Sequence, residues 1–163
     1  MAVGESENIG MADWSDVILR LVGAATIGAL IGLNRDLHHK PSGLKTLSLV
    51  ALGAALVTLV VIDGTADPNA VSRVLQGVIT GIGFLGAGVI IREPSTTKVR
   101  GLTTAAAIWV TACLGSACGM GAWRPAMVAT AILAFVLLLG SKIEKAVHRR
   151  FADPSLSSED DAA

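Results

Sequence analysis

The sequence predicts an all-α polytopic membrane protein, a bundle of five transmembrane helices. Hydrophobic residues make up 52% of the 163 residues and charged residues only 16%, against about 25% charged in an ordinary globular chain. The charges that remain leave five long runs almost untouched. The basic residues between those runs also gather on alternate connections, as they do in chains threaded through a bilayer.

The first run, Val17–Leu33, holds one charge, Arg20. Residues 1–16 contain four acids, Glu5, Glu7, Asp13 and Asp16, and no Lys or Arg. A cleaved secretory signal begins with a basic segment, so a retained helix with an extracytoplasmic segment over 1–16 is expected. Asp13 is placed to cap it. Asp16 and Arg20, four apart, can pair on one helix face, or Arg20 can snorkel to the surface. The next runs are Thr46–Ile62 (17 residues), Val74–Ile91 (18), Gly101–Trp123 (23) and Pro125–Ser141 (17). A soluble helix seldom stays apolar on every face for so long, and about 17–25 such residues cross the hydrocarbon layer. The transmembrane domain is therefore expected over 17–141. Residues 142–163 form a basic, then acidic tail that is expected to be disordered on the cytoplasmic side.

Orientation follows from the connections. Asn34–Lys45, Arg92–Arg100 and the segment from Lys142 hold ten of the 13 basic residues, leaving Arg20, Arg73 and Arg124 for the other side. The positive-inside rule puts these three segments in the cytoplasm and the N-terminus outside. Trp14 and Trp123 then fall at the outer interface, and Trp109 lies within the fourth span, where it is expected to pack between helices.

Several function classes are disfavoured. Basic and acidic residues balance at 13 each, so no global field attracts nucleic acid. Tyr is absent, and three Phe with three Trp make a poor base-stacking surface. Gly81-Ile82-Gly83-Phe84-Leu85-Gly86 has the spacing of a dinucleotide fingerprint. It lies inside an apolar run rather than at a strand-to-helix turn, and no acid follows between Glu93 and Glu144. Cys113 and Cys118, five apart, point away from each other on a helix and read as small apolar side chains. His38 and His39 read as solvated loop residues. No catalytic set, metal-ligand set or cofactor is expected. Four of the five spans contain no Asp, Glu, Lys, Arg or His, which gives no charged site for ion transport. Their hydroxyls, at Thr58, Thr80 and Thr111, are expected to bond back to helix carbonyls.

Small residues at four-residue spacing allow close helix packing where lipid supplies no hydrophobic drive. Gly28 and Gly32 in the first span, Gly81, Gly83, Gly86 and Gly88 in the third, and Thr103, Ala107, Thr111, Gly115 and Gly119 in the fourth are the main candidates. The same stripes offer a homo-oligomer face. Gly101 is expected to permit close backbone approach, and Thr103 and Thr104 to cap the fourth helix with their hydroxyls. Arg35, Asp36, Lys45, Arg92, Glu93 and Arg100 are candidates for a charged rim facing a partner or anionic lipid.

Four blocks carry a resemblance: Gly28-Ala29-Leu30-Ile31-Gly32-Leu33 with Arg35; Pro41-Ser42-Gly43-Leu44-Lys45-Thr46 running into Leu49-Val50-Ala51-Leu52-Gly53-Ala54; Gly81 through Ile90; and Val99-Arg100-Gly101-Leu102-Thr103-Thr104-Ala105-Ala106 through Trp109. Together the chain resembles the MgtC/SapB family of small bacterial inner-membrane proteins. The resemblance implies a role in growth at low magnesium and, in some pathogens, in survival inside macrophages. It implies action through a membrane partner, the proton-driven ATP synthase, rather than carriage of magnesium. Family members commonly have Glu where this chain has Asn34, and often Glu at Asp36. Longer members add a soluble cytoplasmic domain, whose functions are not expected of this chain. A non-enzymatic regulatory membrane protein is the first expectation, and a small transporter or channel for magnesium or another ion is the alternative.

Reporter fusions at Lys40 and Lys98 are expected to show both positions inside the cell. An exterior signal at either would overturn the orientation.

Overall fold

The computed structural model describes residues 13–64, 67–92 and 99–151, with the backbone alone at 91–92 and 141–151. Among the described residues five helices run in order: α1 (Trp14–Leu37), α2 (Leu44–Gly64), α3 (Pro68–Gly88), α4 (Leu102–Gly119) and α5 (Trp123–Phe151). All five are long and apolar enough to cross a bilayer. Before α4, β1 (Ile91–Arg92) pairs antiparallel with β2 (Val99–Arg100), Ile91 opposite Arg100. The fold class is as the sequence predicts, with this two-residue ladder as an addition.

The helix ends show how local chemistry sets the boundaries. Asp13 occupies the N-cap of α1 but makes no side-chain cap bond; its carboxylate instead accepts from Ser15 Oγ at 2.8 Å. Asp67 caps α3 by accepting from Asn69 N–H, with Pro68 in the first turn, where a missing N–H costs nothing. That cap starts α3 six residues before the apolar run begins. The last helix, α5, continues to Phe151, so 142–151 are helical where the sequence suggested a disordered tail; residues 152–163 lie outside the described residues.

Two units are distinguished, dividing after Met127. In the first, α2 is the central helix, packed against α1 on one side and α4 on the other, with α1 also touching α4 and α3 lying mainly on α4. The core here is made of small side chains: Ala24, Ala51, Ala55, Cys118 and Ala126, with Leu21, Ile27, Ala117 and Trp123 around them. A Cβ at Gly28 would strike the backbone of Leu47, and one at Gly32 the backbone of Leu44. On the other side, Gly115 and Gly119 lie against the backbones of Ala51 and Ala55. Both faces of α2 therefore sit at backbone contact, which side chains larger than hydrogen would forbid. Thr58 and Thr111 are buried and return their hydroxyls to Ala54 O and Ala107 O, each at 2.7 Å. Cys113 and Cys118 are free thiols.

Other small residues behave differently. Gly81, Gly83 and Gly88 have nothing within 4 Å of a hypothetical Cβ, and Gly86 meets Ala105 Cβ at an ordinary 3.6 Å. Within one chain, α3 makes no close backbone approach at the first three. Thr103 is exposed, and the buried residues of α4 begin at Thr104 and continue from Ala107. Trp109 is 44% exposed rather than enclosed between helices. Two residues beyond Ala107, it is turned by about 200° from the buried face. The second unit consists of α5 from Val128 onward, an apolar helix with Ile132, Phe135 and Val136 exposed.

Gly115→Leu is expected to destabilise the fold by about 3 kcal/mol or more, the upper range for overpacking, because the colliding atoms are backbone. Gly83→Leu is expected to change stability by less than about 1 kcal/mol. Thermal unfolding in detergent checks the pair, and equal effects would contradict the packing.

Candidate functional site

The charged residue that the fold treats least like a surface group is Arg35. It lies in the last turn of α1 and is 3% exposed. The chain reverses immediately after it, and the reversal is built around this one residue. Its carbonyl accepts from His38 N–H at 3.1 Å and Lys40 N–H at 3.0 Å. Its side chain donates from Nε to Pro41 O and Ser42 O, both at 3.2 Å, and from Nη2 to Pro41 O at 2.8 Å. Nη2 also reaches across to α4, donating to Thr104 Oγ1 at 2.7 Å. Among the described residues, no carboxylate lies within ion-pair distance of it. The guanidinium is solvated by carbonyl dipoles and one hydroxyl in place of water, which meets the requirement that a buried charge be hydrogen-bonded.

Those bonds hold the 38–43 loop in a shape that its residues would not choose alone. His39 and Ser42 have φ of 51° and 61°, left-handed values that cost a non-glycine residue of order 1 kcal/mol and persist where surroundings over-determine them. Asp36 secures the far end: its Oδ2 accepts from Leu44 N–H at 2.9 Å, capping α2. A Cβ at Gly43 would occupy the place of that carboxylate. His38 Nδ1 lies 2.7 Å from Asn34 O, on the exposed side of the turn.

The start of α4 is fixed from a second direction. Gly101 is its N-cap with φ of 97° and no side-chain cap bond, and a Cβ there would collide with Val89 O. Only glycine combines that dihedral with that proximity. The end of α3 is thereby placed beside the first turn of α4, whose Thr104 receives Arg35. The capping role expected for Thr103 and Thr104 is therefore not what the structure shows: Thr104 Oγ1 is an acceptor for the guanidinium, and Thr103 is exposed.

Of the expected rim, Lys45, Asp36 and Arg100 are exposed, and Arg35 is a correction, being the buried fastener beneath them. Arg92 contributes its main chain to β1, and Glu93 lies outside the described residues. At the opposite end of the bundle a second arginine joins helices. Arg20 pairs with Asp16 at 2.7 Å and donates from Nη1 to Gly119 O at 3.0 Å, so it binds the C-terminus of α4 rather than snorkelling away. Among the described residues, no three His, Cys, Asp or Glu converge as metal ligands would. The sequence offered two signals for the Arg35 site that went unused. One is the Pro41-Ser42-Gly43 turn six residues after a basic helix end, and the other is an acid placed eight residues before the start of α2.

Five helices long and apolar enough to span a bilayer, small residues where they pack closely and two helix-joining arginines toward the ends of the helices they join define a multi-pass membrane protein whose conspicuous site is structural, fastening helices to a connection. The MgtC family profile matches residues 21–146, and the chain belongs to that family. It is 45% identical over 129 residues to protein SrpB of Synechococcus elongatus, an alignment covering 72% of this chain and 71% of that protein. It is likewise 45% identical over 116 residues to protein MgtC of Salmonella typhimurium, covering 71% of this chain and 48% of the relative. A Haemophilus influenzae protein is 36% identical over 142 residues, 82% of this chain and 59% of its own length. The chain thus spans about half the length of the MgtC relative. No solved structure matches it.

Thr104→Val removes the acceptor without changing side-chain size. It is expected to cost about 1.5–3 kcal/mol, the range for a bond to a charged group, whereas Thr104→Ser is expected to retain most of it. Unfolding midpoints in detergent distinguish them; indistinguishable Val and Ser variants would show that the bond contributes nothing.

Proposed function

We propose that this chain is a non-enzymatic regulatory protein of the bacterial inner membrane, acting by contact with a membrane partner during growth at low magnesium. The observation that carries this reading is the division of labour around Arg35. Arg35 is buried and holds the 38–43 loop, while Lys45 in the first turn of α2 and Arg100 in β2 are exposed. That end of the bundle is thus a fixed connection displaying charge, which suits docking better than turnover. Family membership supports the magnesium link, and the resemblance points to the proton-driven ATP synthase as the partner. The survival role inside macrophages belongs to those family members found in pathogens. In this reading the 34–45 and 92–100 connections face the cytoplasm and the N-terminus faces outward, as the distribution of Lys and Arg supports.

Arg100→Ala is expected to insert normally yet fail to rescue a deletion strain at limiting magnesium, while growing as wild type when magnesium is ample. Normal rescue would remove Arg100 from the docking surface. Saturable magnesium flux into vesicles by the purified, folded protein would instead establish the transporter alternative and displace this reading.

A further inference from the structure

The faces of α2 and α3 that turn away from α1 and α4 enclose an open groove of about 550 Å³. Its walls are apolar, with Leu49 and Val57 on one side and Ile82 and Leu85 on the other. It is deep because Gly53 on α2 and Gly77 and Gly81 on α3 line it and a Cβ at any of the three would meet nothing within 4 Å. Along this length the two helices do not close on each other. The groove has one polar end, formed by Lys45 and Thr46 in the first turn of α2. Lys45 is exposed, with no ion-pair partner among the described residues. Asp36, the nearby acid, is engaged with Leu44 N–H.

We infer that this groove binds an anionic phospholipid, with one acyl chain lying along Gly53, Gly77 and Gly81 and the phosphate at Lys45. Two properties select that occupant. From Lys45 to Val57 is 12 residues, about 18 Å of helix, which matches one leaflet of a hydrocarbon core about 30 Å thick. The single cation stands at the end where a headgroup of that leaflet lies, next to the 38–43 loop, and nothing polar interrupts the apolar length beyond it. A partner helix would have no counter-charge to offer Lys45 by necessity, whereas an anionic lipid carries one beside every acyl chain. The inference needs only the bilayer location of the chain and is independent of any role in magnesium limitation.

The test uses the full chain in mild detergent, with native mass spectrometry in equimolar phosphatidylglycerol and phosphatidylethanolamine of identical acyl chains. Wild type is expected to retain one phosphatidylglycerol per chain, preferred roughly fivefold, the factor one lysine contributes toward an anionic headgroup. Lys45→Gln is expected to equalise the two lipids, and Gly81→Leu to abolish retention of both without lowering the unfolding temperature. If Gly81→Leu does not fold, Gly53→Leu fills the same groove from the α2 side, and thermal stabilisation by added phosphatidylglycerol is read for Lys45→Gln against wild type. Equal retention of both lipids by wild type would overturn the inference. So would undiminished retention by the filled variants, or a dimer that Gly81→Leu dissolves while lipid stays bound, which would assign the groove to a second copy.

Discussion

Helices in lipid cannot be driven together by escape from water, because the hydrocarbon around them is as apolar as they are. They hold by contact, and contact improves as backbones approach. In this chain α2 bears that constraint on two sides at once. Gly28 and Gly32 bring α1 onto the Leu47 and Leu44 backbones, and Gly115 and Gly119 bring α4 onto those of Ala51 and Ala55. Within the same unit α3 is attached to this three-helix stack, mainly through α4. Where these backbones meet, the packed cluster is built mostly of Ala and Cys, because the space left at that distance admits little more.

Close packing leaves little room for large buried polar groups, and the structure meets this by placing its two helix-joining arginines at the ends. Arg20 ties α1 to the C-terminal carbonyl of Gly119, where the helix dipole favours a cation. Arg35 ties α1 to α4 through Thr104 while holding the loop that leads into α2. The two arginines lie 15 residues apart on one helix and act at the two ends of α4, one on its last residue and one in its first turn. A guanidinium suits the second position because its fixed fork reaches two carbonyls and a hydroxyl together, which an ammonium group cannot do with the same geometry.

The helices were legible in the sequence because charge exclusion from a bilayer is severe and reads directly from composition. The Asp16–Arg20 pair and the back-bonded Thr58 and Thr111 were legible too, since each follows from spacing along a single helix. What was not legible depended on which face of a helix meets which neighbour. Arg35 looked like a rim residue because a basic residue at a helix end normally reaches for water, and only the return of the 38–43 loop encloses it. Thr104 looked like a cap because it begins a helix, yet its hydroxyl is claimed by a residue 69 positions away. Trp109 and Gly81, Gly83 and Gly88 were assigned to packing by composition alone, and the buried face of α4 and the position of α3 decided otherwise, whereas Gly86 does pack against Ala105. Glu93 lies outside the described residues.

The grip of Arg35 on its loop has one more implication. It holds main-chain oxygens, which are present whatever side chain stands at 41 or 42. The outline of this connection is consequently dictated from beneath, by one buried group, and the outward-facing identities at Lys40 and its neighbours are left as independent variables. A lineage can rewrite what this corner of the protein says to its surroundings and keep the frame on which it is written.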